Sequence, residues 1–164
     1  MIPYGSNVFN KTTENIIEEY NLEKNNYCMI IARMEPENNI EMILDGFIQS
    51  KSKLVIIVIG NHSNKHGRFL LKKYNDFKNI IFLNGIYDIK VINNLRYFSK
   101  YYFHGHSVGG TNPSLLEAMS CSSFIIANNN IFNKNVLGKD AFYFRSSQEL
   151  AELLKDTTSL EKML

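Results

Sequence analysis

Six short apolar runs, at 27–32, 54–59, 80–83, 101–103, 124–127 and 141–144, constrain this chain more than any other feature. Each is apolar at consecutive rather than alternate positions, so each must be covered on both faces. Such runs fit strands of a parallel sheet enclosed between helices. The segments between them supply those helices. Residues 39–50 place Ile40, Ile43, Leu44, Phe47 and Ile48 on one stripe. Residues 65–74, 89–98, 113–121 and 148–155 carry similar patterns, some weaker. Strand alternating with helix predicts an α/β fold, a Rossmann-like doubly wound parallel sheet of about six strands. Its crossovers should be right-handed. In such sheets a ligand binds beyond the C-terminal strand ends, where strand order reverses. The loops to watch therefore begin at Arg33, Gly60, Asn84, His104 and Asn128.

A chain of 164 residues is long enough for one domain with a substantial core. With 45% apolar and 21% charged residues it is neither a disordered tail, a collagen nor a coiled coil. No apolar run approaches the ~20 residues of a helical membrane span, and no signal peptide opens the chain. Cys28 and Cys121 both sit among apolar residues and read as buried thiols of a reduced compartment, not as a disulfide or metal framework. A net charge of +2 is too small to indicate a nucleic-acid partner. The abundance of Asn and Ile reads as an imprint of base composition more than of function. Residues 1–12 carry Pro3, Gly5 and Ser6 and read as a linker; residues 13–164 read as the domain. The last residues resemble the start of another helix, so the sequence reads as one domain of a longer protein.

The loop from His104 to Pro113 is the richest in chemistry. Gly105, Gly109 and Gly110 allow tight turning and close approach to a ligand. Thr111 or Asn112 can cap the next helix, and Pro113 suits its first turn. Free N–H groups and the helix dipole there favour a phosphate; the alternative is a tight strand-to-helix turn with no ligand. Glu117 lies just past the first turn and can accept hydrogen bonds from ribose hydroxyls; the alternative is a surface Glu near a helix start. Arg33, at a strand end, can grip a diphosphate; the alternative is an ion pair with Glu35 or Glu37. His104 and His106 read as hydrogen-bonded loop residues and not as metal ligands. Ser107 lacks the setting of a hydrolase nucleophile. The helix carrying Lys65, Arg68, Lys72 and Lys73 reads as a solvated face, with a membrane-facing patch as the minority reading.

Taken together, these pieces resemble the C-terminal, nucleotide-sugar-binding half of family-4 retaining glycosyltransferases of the GT-B fold. The resemblance spans residues 2 to about 154. It rests on Ile2-Pro3-Tyr4-Gly5-Ser6-Asn7 as the interdomain linker and on the strand-loop-helix at 31–40. It rests further on Val58-Ile59-Gly60-Asn61 and, most specifically, on His104-Gly105-His106-Ser107-Val108-Gly109-Gly110-Thr111-Asn112-Pro113-Ser114-Leu115-Leu116-Glu117-Ala118-Met119. This last stretch is similar to a bacterial rhamnosyltransferase-type subgroup that builds capsule, O-antigen or other surface polysaccharide.

The resemblance implies that Arg33 is the diphosphate-binding and catalytic arginine and Glu117 the ribose-binding glutamate. Gly109 stands where the family carries another glutamate, and Asn38 where it carries a lysine. Gly110, Thr111, Asn112, Pro113 and Gly60 complete the implied nucleotide-sugar site, with backbone N–H groups of Thr111 and Asn112 on donor hydroxyls or the β-phosphate. It implies no cofactor and no metal, retaining transfer of a hexose or rhamnose, and a glycan or lipid-linked acceptor on a separate N-terminal domain. It further implies a cytoplasmic protein that associates peripherally with the inner face of the membrane. Two alternatives stay open: a GT-B enzyme using a UDP- or GDP-sugar instead of dTDP-rhamnose, and a non-catalytic nucleotide-binding module.

Overall fold

The structure is a computed structural model that describes residues 5–6, 8–108, 110 and 112–156. Strands β1 (Tyr27–Ile31), β2 (Val55–Ile59), β3 (Ile80–Leu83), β4 (Tyr101–His104), β5 (Ile125–Asn128) and β6 (Phe142–Phe144) form one sheet. Every pairing is parallel, in the order β3-β2-β1-β4-β5-β6. Order reverses between β1 and β4, so the ligand position expected for such a sheet lies above their C-terminal ends. All six apolar runs are strands, shifted by at most one residue at either end.

The helices are α1 (Asn15–Glu18), α2 (Ile40–Ser50), α3 (Lys65–Tyr74), α4 (Ile89–Phe98), α5 (Pro113–Ser120), α6 (Ile131–Leu137) and α7 (Ser147–Lys155). A 3-10 turn, Pro36–Asn38, precedes α2. Two cores form because the strands are apolar on both faces. Cys28, Ile30, Ile56, Val58, Tyr101 and Phe103 face α2, α3 and α7. Tyr27, Met29, Ile57, Ile59, Tyr102 and Ala127 face α1, α4, α5 and α6. The pleat turns successive residues to opposite sides, so a strand that feeds two cores must be apolar throughout. Both cysteines are buried and free, and burial pushes the thiol pKa of each upward.

Sequence patterning did not single out α1, α6 or the 3-10 turn. The signs for α6 are present. Asn130 accepts the N–H of Asn133 as N-cap, and Gly138 ends the helix at φ +55°. The apolar stripe of α6 is short, which hides its period. The N-terminal stretch is not wholly detached: the Phe9 N–H reaches the Ser120 carbonyl at 3.0 Å, and its ring meets Tyr97 edge-on.

Gly105 carries a packing demand at the strand-order reversal. A Cβ there would lie 2.1 Å from the Asn38 carbonyl oxygen, a backbone atom with little room to retreat. At Gly110 a Cβ would meet nothing within 4 Å. Gly105→Ala should therefore destabilise the fold by about 1–3 kcal/mol, as overpacking does, while Gly110→Ala should stay within about 0.5 kcal/mol of the parent. Urea midpoints of the two variants, compared at equal slope, check this.

Candidate functional site: a cavity at the strand-order reversal

The loops that follow β1, β2, β3 and β4 enclose a cavity of about 770 Å³ at the reversal. This is within the range of small-molecule sites, about 300–1,000 Å³. The four corresponding loops flagged by sequence all contribute; the loop after Asn128 does not line it. Among the expected site residues, Arg33, Asn38, Gly60, Asn112, Pro113 and Glu117 line the cavity. Gly110 is not among the lining residues, and Gly109 and Thr111 lie outside the described residues.

Arg33 stands two residues past the end of β1 and is exposed. No described residue pairs with its guanidinium, so the alternative of an ion pair with Glu35 or Glu37 is not realised. Glu35 instead accepts a hydrogen bond from Asn64 Nδ2 at 3.0 Å. The carbonyl of Glu37 accepts from both the N–H and the hydroxyl of Ser107, at 3.0 and 2.8 Å. Arg33 is thus an uncommitted planar donor set at the edge of the cavity.

Asn38 is buried, and its amide is occupied on both sides. Nδ2 donates to the Arg33 carbonyl at 2.8 Å, and Oδ1 meets His106 Nδ1 at 2.9 Å. Its visible role is to shape the loop behind Arg33. Gly60 similarly lines the cavity for a packing reason: a Cβ would lie 2.2 Å from the Ala32 carbonyl oxygen.

At the start of α5, Asn112, one of the two cap residues the sequence offered, is the N-cap, with Oδ1 accepting the Ser114 N–H at 2.9 Å. The Leu115 and Leu116 N–H groups both turn to the Asn112 carbonyl, and Pro113 has no N–H to offer. The first turn therefore has no open N–H donors. What it offers an anion is the dipole of the helix, together with the loop before it.

Glu117 is held by a residue that sequence reading missed. Arg96 of α4 has a side chain only 2% exposed and forms an ion pair with Glu117, which is 37% exposed. It also donates to Asn93 Oδ1 and Ser114 Oγ. Ser114 Oγ in turn lies 2.7 Å from the hydroxyl of buried Tyr102. Arg96 stands four residues after Ile92, on the apolar stripe of its own helix, and that position was the available sign of burial. Of His104 and His106, the latter is hydrogen-bonded as expected. His104 is not: it ends β4, is buried, lines the cavity, and its Nε2 has no partner. Burial, with the nearby His106, lowers its pKa to about 4, so it is neutral at physiological pH.

The sequence pattern of a known family, "Glycosyl transferases group 1", matches residues 12–164. The chain belongs to the group 1 glycosyl transferases. No curated protein matches it significantly. Among solved structures it is similar to HepE of Anabaena in complex with UDP-glucose, at 16% identity and a TM-score of 0.80. That match covers 97% of this chain and 47% of HepE, so the chain spans about half the length of that structure. The C-terminal domain of the group 1 protein LpcC from Francisella tularensis matches at 20% identity and a TM-score of 0.69, over 97% of this chain and 90% of that one. The pneumococcal O-GlcNAc transferase GtfA, in complex with UDP and GlcNAc, matches at 12% identity and a TM-score of 0.69, over 85% of this chain and 30% of GtfA. At these identities the structures establish the shared GT-B-type fold.

The Arg96–Glu117 pair is asymmetric in burial, and this sets which partner matters more to the fold. Removing Glu117 orphans a charge that water cannot reach, whereas removing Arg96 orphans one that is partly solvated. Glu117→Ala should cost about 3 kcal/mol of stability, the lower end for an uncompensated buried charge. Arg96→Met, which keeps the apolar volume, should cost on the order of 1 kcal/mol. Denaturant unfolding of both single variants and the double variant checks the order.

Proposed function

We propose that this chain is the donor-binding half of a retaining glycosyltransferase that takes a hexose or rhamnose from a nucleoside-diphosphate sugar. The observation that carries the reading is the cavity at the strand-order reversal, with the unpaired Arg33 at one side and the anchored Glu117 at the other. An uncommitted guanidinium fits a diphosphate, and a carboxylate with one oxygen held by Arg96 keeps its other oxygen for ribose hydroxyls. The solved HepE and GtfA structures hold UDP or a UDP-sugar, which supports a donor of this class.

In this mechanism the nucleoside diphosphate leaves and the acceptor hydroxyl attacks from the same face. The transition state is oxocarbenium-like, and negative charge grows on the departing phosphate. Arg33 and the dipole of α5 stabilise that charge electrostatically. The acceptor, a growing bacterial surface polysaccharide or a lipid-linked glycan, is held by a second domain at the cytoplasmic face of the membrane. No helix among the described residues is long and apolar enough to cross a membrane. A non-catalytic nucleotide-binding module has one observation in its favour. Asn38, where the family's lysine is expected, has its amide tied into the fold and brings no charge.

The 164-residue chain should bind UDP, GDP or dTDP by titration calorimetry, with and without chelator. UDP should bind more tightly than dTDP, because Glu117 has two ribose hydroxyls to accept from in one and only one hydroxyl in the other. Absence of binding to all three, or binding only with a divalent ion, refutes the reading. In a protein containing both domains, Arg33→Ala should reduce turnover by roughly 10²–10³, more than it weakens donor binding. Arg33→Lys should recover only part, since an ammonium lacks the planar fork. Steady-state kinetics separate this from the module reading, which predicts no turnover in the parent either.

A further inference from the structure

We propose that His104 binds a hydroxyl group of the carbohydrate part of the donor, through an imidazole nitrogen presented to the cavity. This rests on the donor-binding reading given above.

His104 is 4% exposed, and a polar group so buried is normally satisfied. Here Nε2 is enclosed without a partner. Nδ1 has no partner among the described residues either, but it is not enclosed. His104 is also a lining residue, so the ring meets the ligand space at Nδ1, or at Nε2 after a half-turn about Cβ–Cγ. The strand pleat places its side chain on the same face as Tyr102, whose hydroxyl reaches Ser114, the partner of Arg96. His104 therefore belongs to the side of the cavity where Glu117 is held, while Arg33 follows the neighbouring strand.

The chemistry of the ring selects the ligand group. Burial and the neighbouring His106 keep it uncharged, so it has no ionic attraction to offer phosphate. A neutral imidazole has one donor and one acceptor nitrogen, and a hydroxyl can answer either one. A phosphate oxygen can only accept. The unpaired ring also carries a cost in the empty protein that a structural histidine would not, and filling the site removes that cost.

The chain and two variants, His104→Phe and His104→Gln, are titrated with UDP, GDP and dTDP and with UDP-glucose, GDP-mannose and dTDP-rhamnose. Long-range proton–nitrogen NMR follows the ring nitrogens of His104 in the unaltered chain during the same titrations. Phe removes both polar atoms at similar bulk; Gln restores a donor and an acceptor. Binding should shift the His104 nitrogens, and His104→Phe should weaken affinity by about 2- to 12-fold, with His104→Gln recovering part of the loss. Weakening already present with the bare nucleotides assigns the hydroxyl to ribose; weakening confined to the sugar-bearing donors assigns it to the transferred sugar. Unmoved ring signals together with equal affinity in His104→Phe overturn this inference and leave the donor site standing. Failure of the unaltered chain to bind any of the six overturns both. Should His104→Phe not fold, the NMR response of the unaltered chain decides alone.

Discussion

The site depends on a set of side-chain amides that tie separate loops together above the sheet. A doubly wound sheet sends its chain to opposite faces on either side of the strand-order reversal, and this leaves a gap that nothing in the backbone ladder closes. Asparagines close its walls. Asn39 Nδ2 donates to the Gly105 carbonyl at 2.8 Å, and Asn38 links the Arg33 carbonyl to His106. Asn64 joins the loop after β2 to the loop after β1 through the Met34 carbonyl, at 2.9 Å. Asn130 and Asn133 hold the His106 carbonyl from the far side, at 2.9 and 3.1 Å. An amide suits this work because it donates and accepts without bringing a charge that a buried loop would have to neutralise.

This bracing explains how the site keeps one cation free. Arg33 is the residue after the residue after β1, its carbonyl is fixed by Asn38, and its side chain is left outside the network. The nearby Glu35 carboxylate is drawn toward Asn64, and Glu37 makes no ion pair with Arg33. On the opposite wall the arrangement is reversed. There the cation, Arg96, is buried, and its two terminal nitrogens hold Glu117, Ser114 and Asn93. One arginine is available for a ligand and the other makes a carboxylate available. Position relative to the apolar stripe separates them: Arg33 lies past a strand end, and Arg96 lies on the buried side of a helix.

The sheet was legible in the sequence because its evidence is local. A strand feeding two cores must be apolar at every position, and six such runs are visible without any knowledge of their partners. Arg33, Glu117 and the loop after β4 were legible for a related reason: type and spacing place them at strand and helix ends. What escaped notice was pairwise. Arg96 and Glu117 are 21 residues apart, and nothing in either segment announces the other. The asparagines looked like an imprint of base composition, yet those at 38, 39, 64, 112, 130 and 133 each hold a loop or cap a helix. Three asparagines, Asn21, Asn25 and Asn39, also adopt left-handed backbone, at φ 49–58°, which this residue tolerates better than most. The first turn of α5 shows the same kind of pairing: its Ser114 and Leu115 N–H groups are taken up, while Thr111 lies outside the described residues. The cap residue that marks a helix start is also the group that takes up its donors.

These observations sort the polar groups of the cavity by what each is free to do. Asn38, Asn39, Asn64 and His106 are hydrogen-bonded to one another, to Glu35 or to backbone, so replacing them acts on the shape of the site before it acts on any ligand. Arg33 is free because it is exposed, and water satisfies it until a ligand arrives. His104 differs from both groups: it is buried with its Nε2 enclosed, yet no described side chain or carbonyl answers its ring. Exposure alone would rank Arg33 first and His104 last as a functional residue. Hydrogen-bonding capacity that the described residues leave unanswered ranks them together, and it is the better guide in a cavity whose other walls are already tied down.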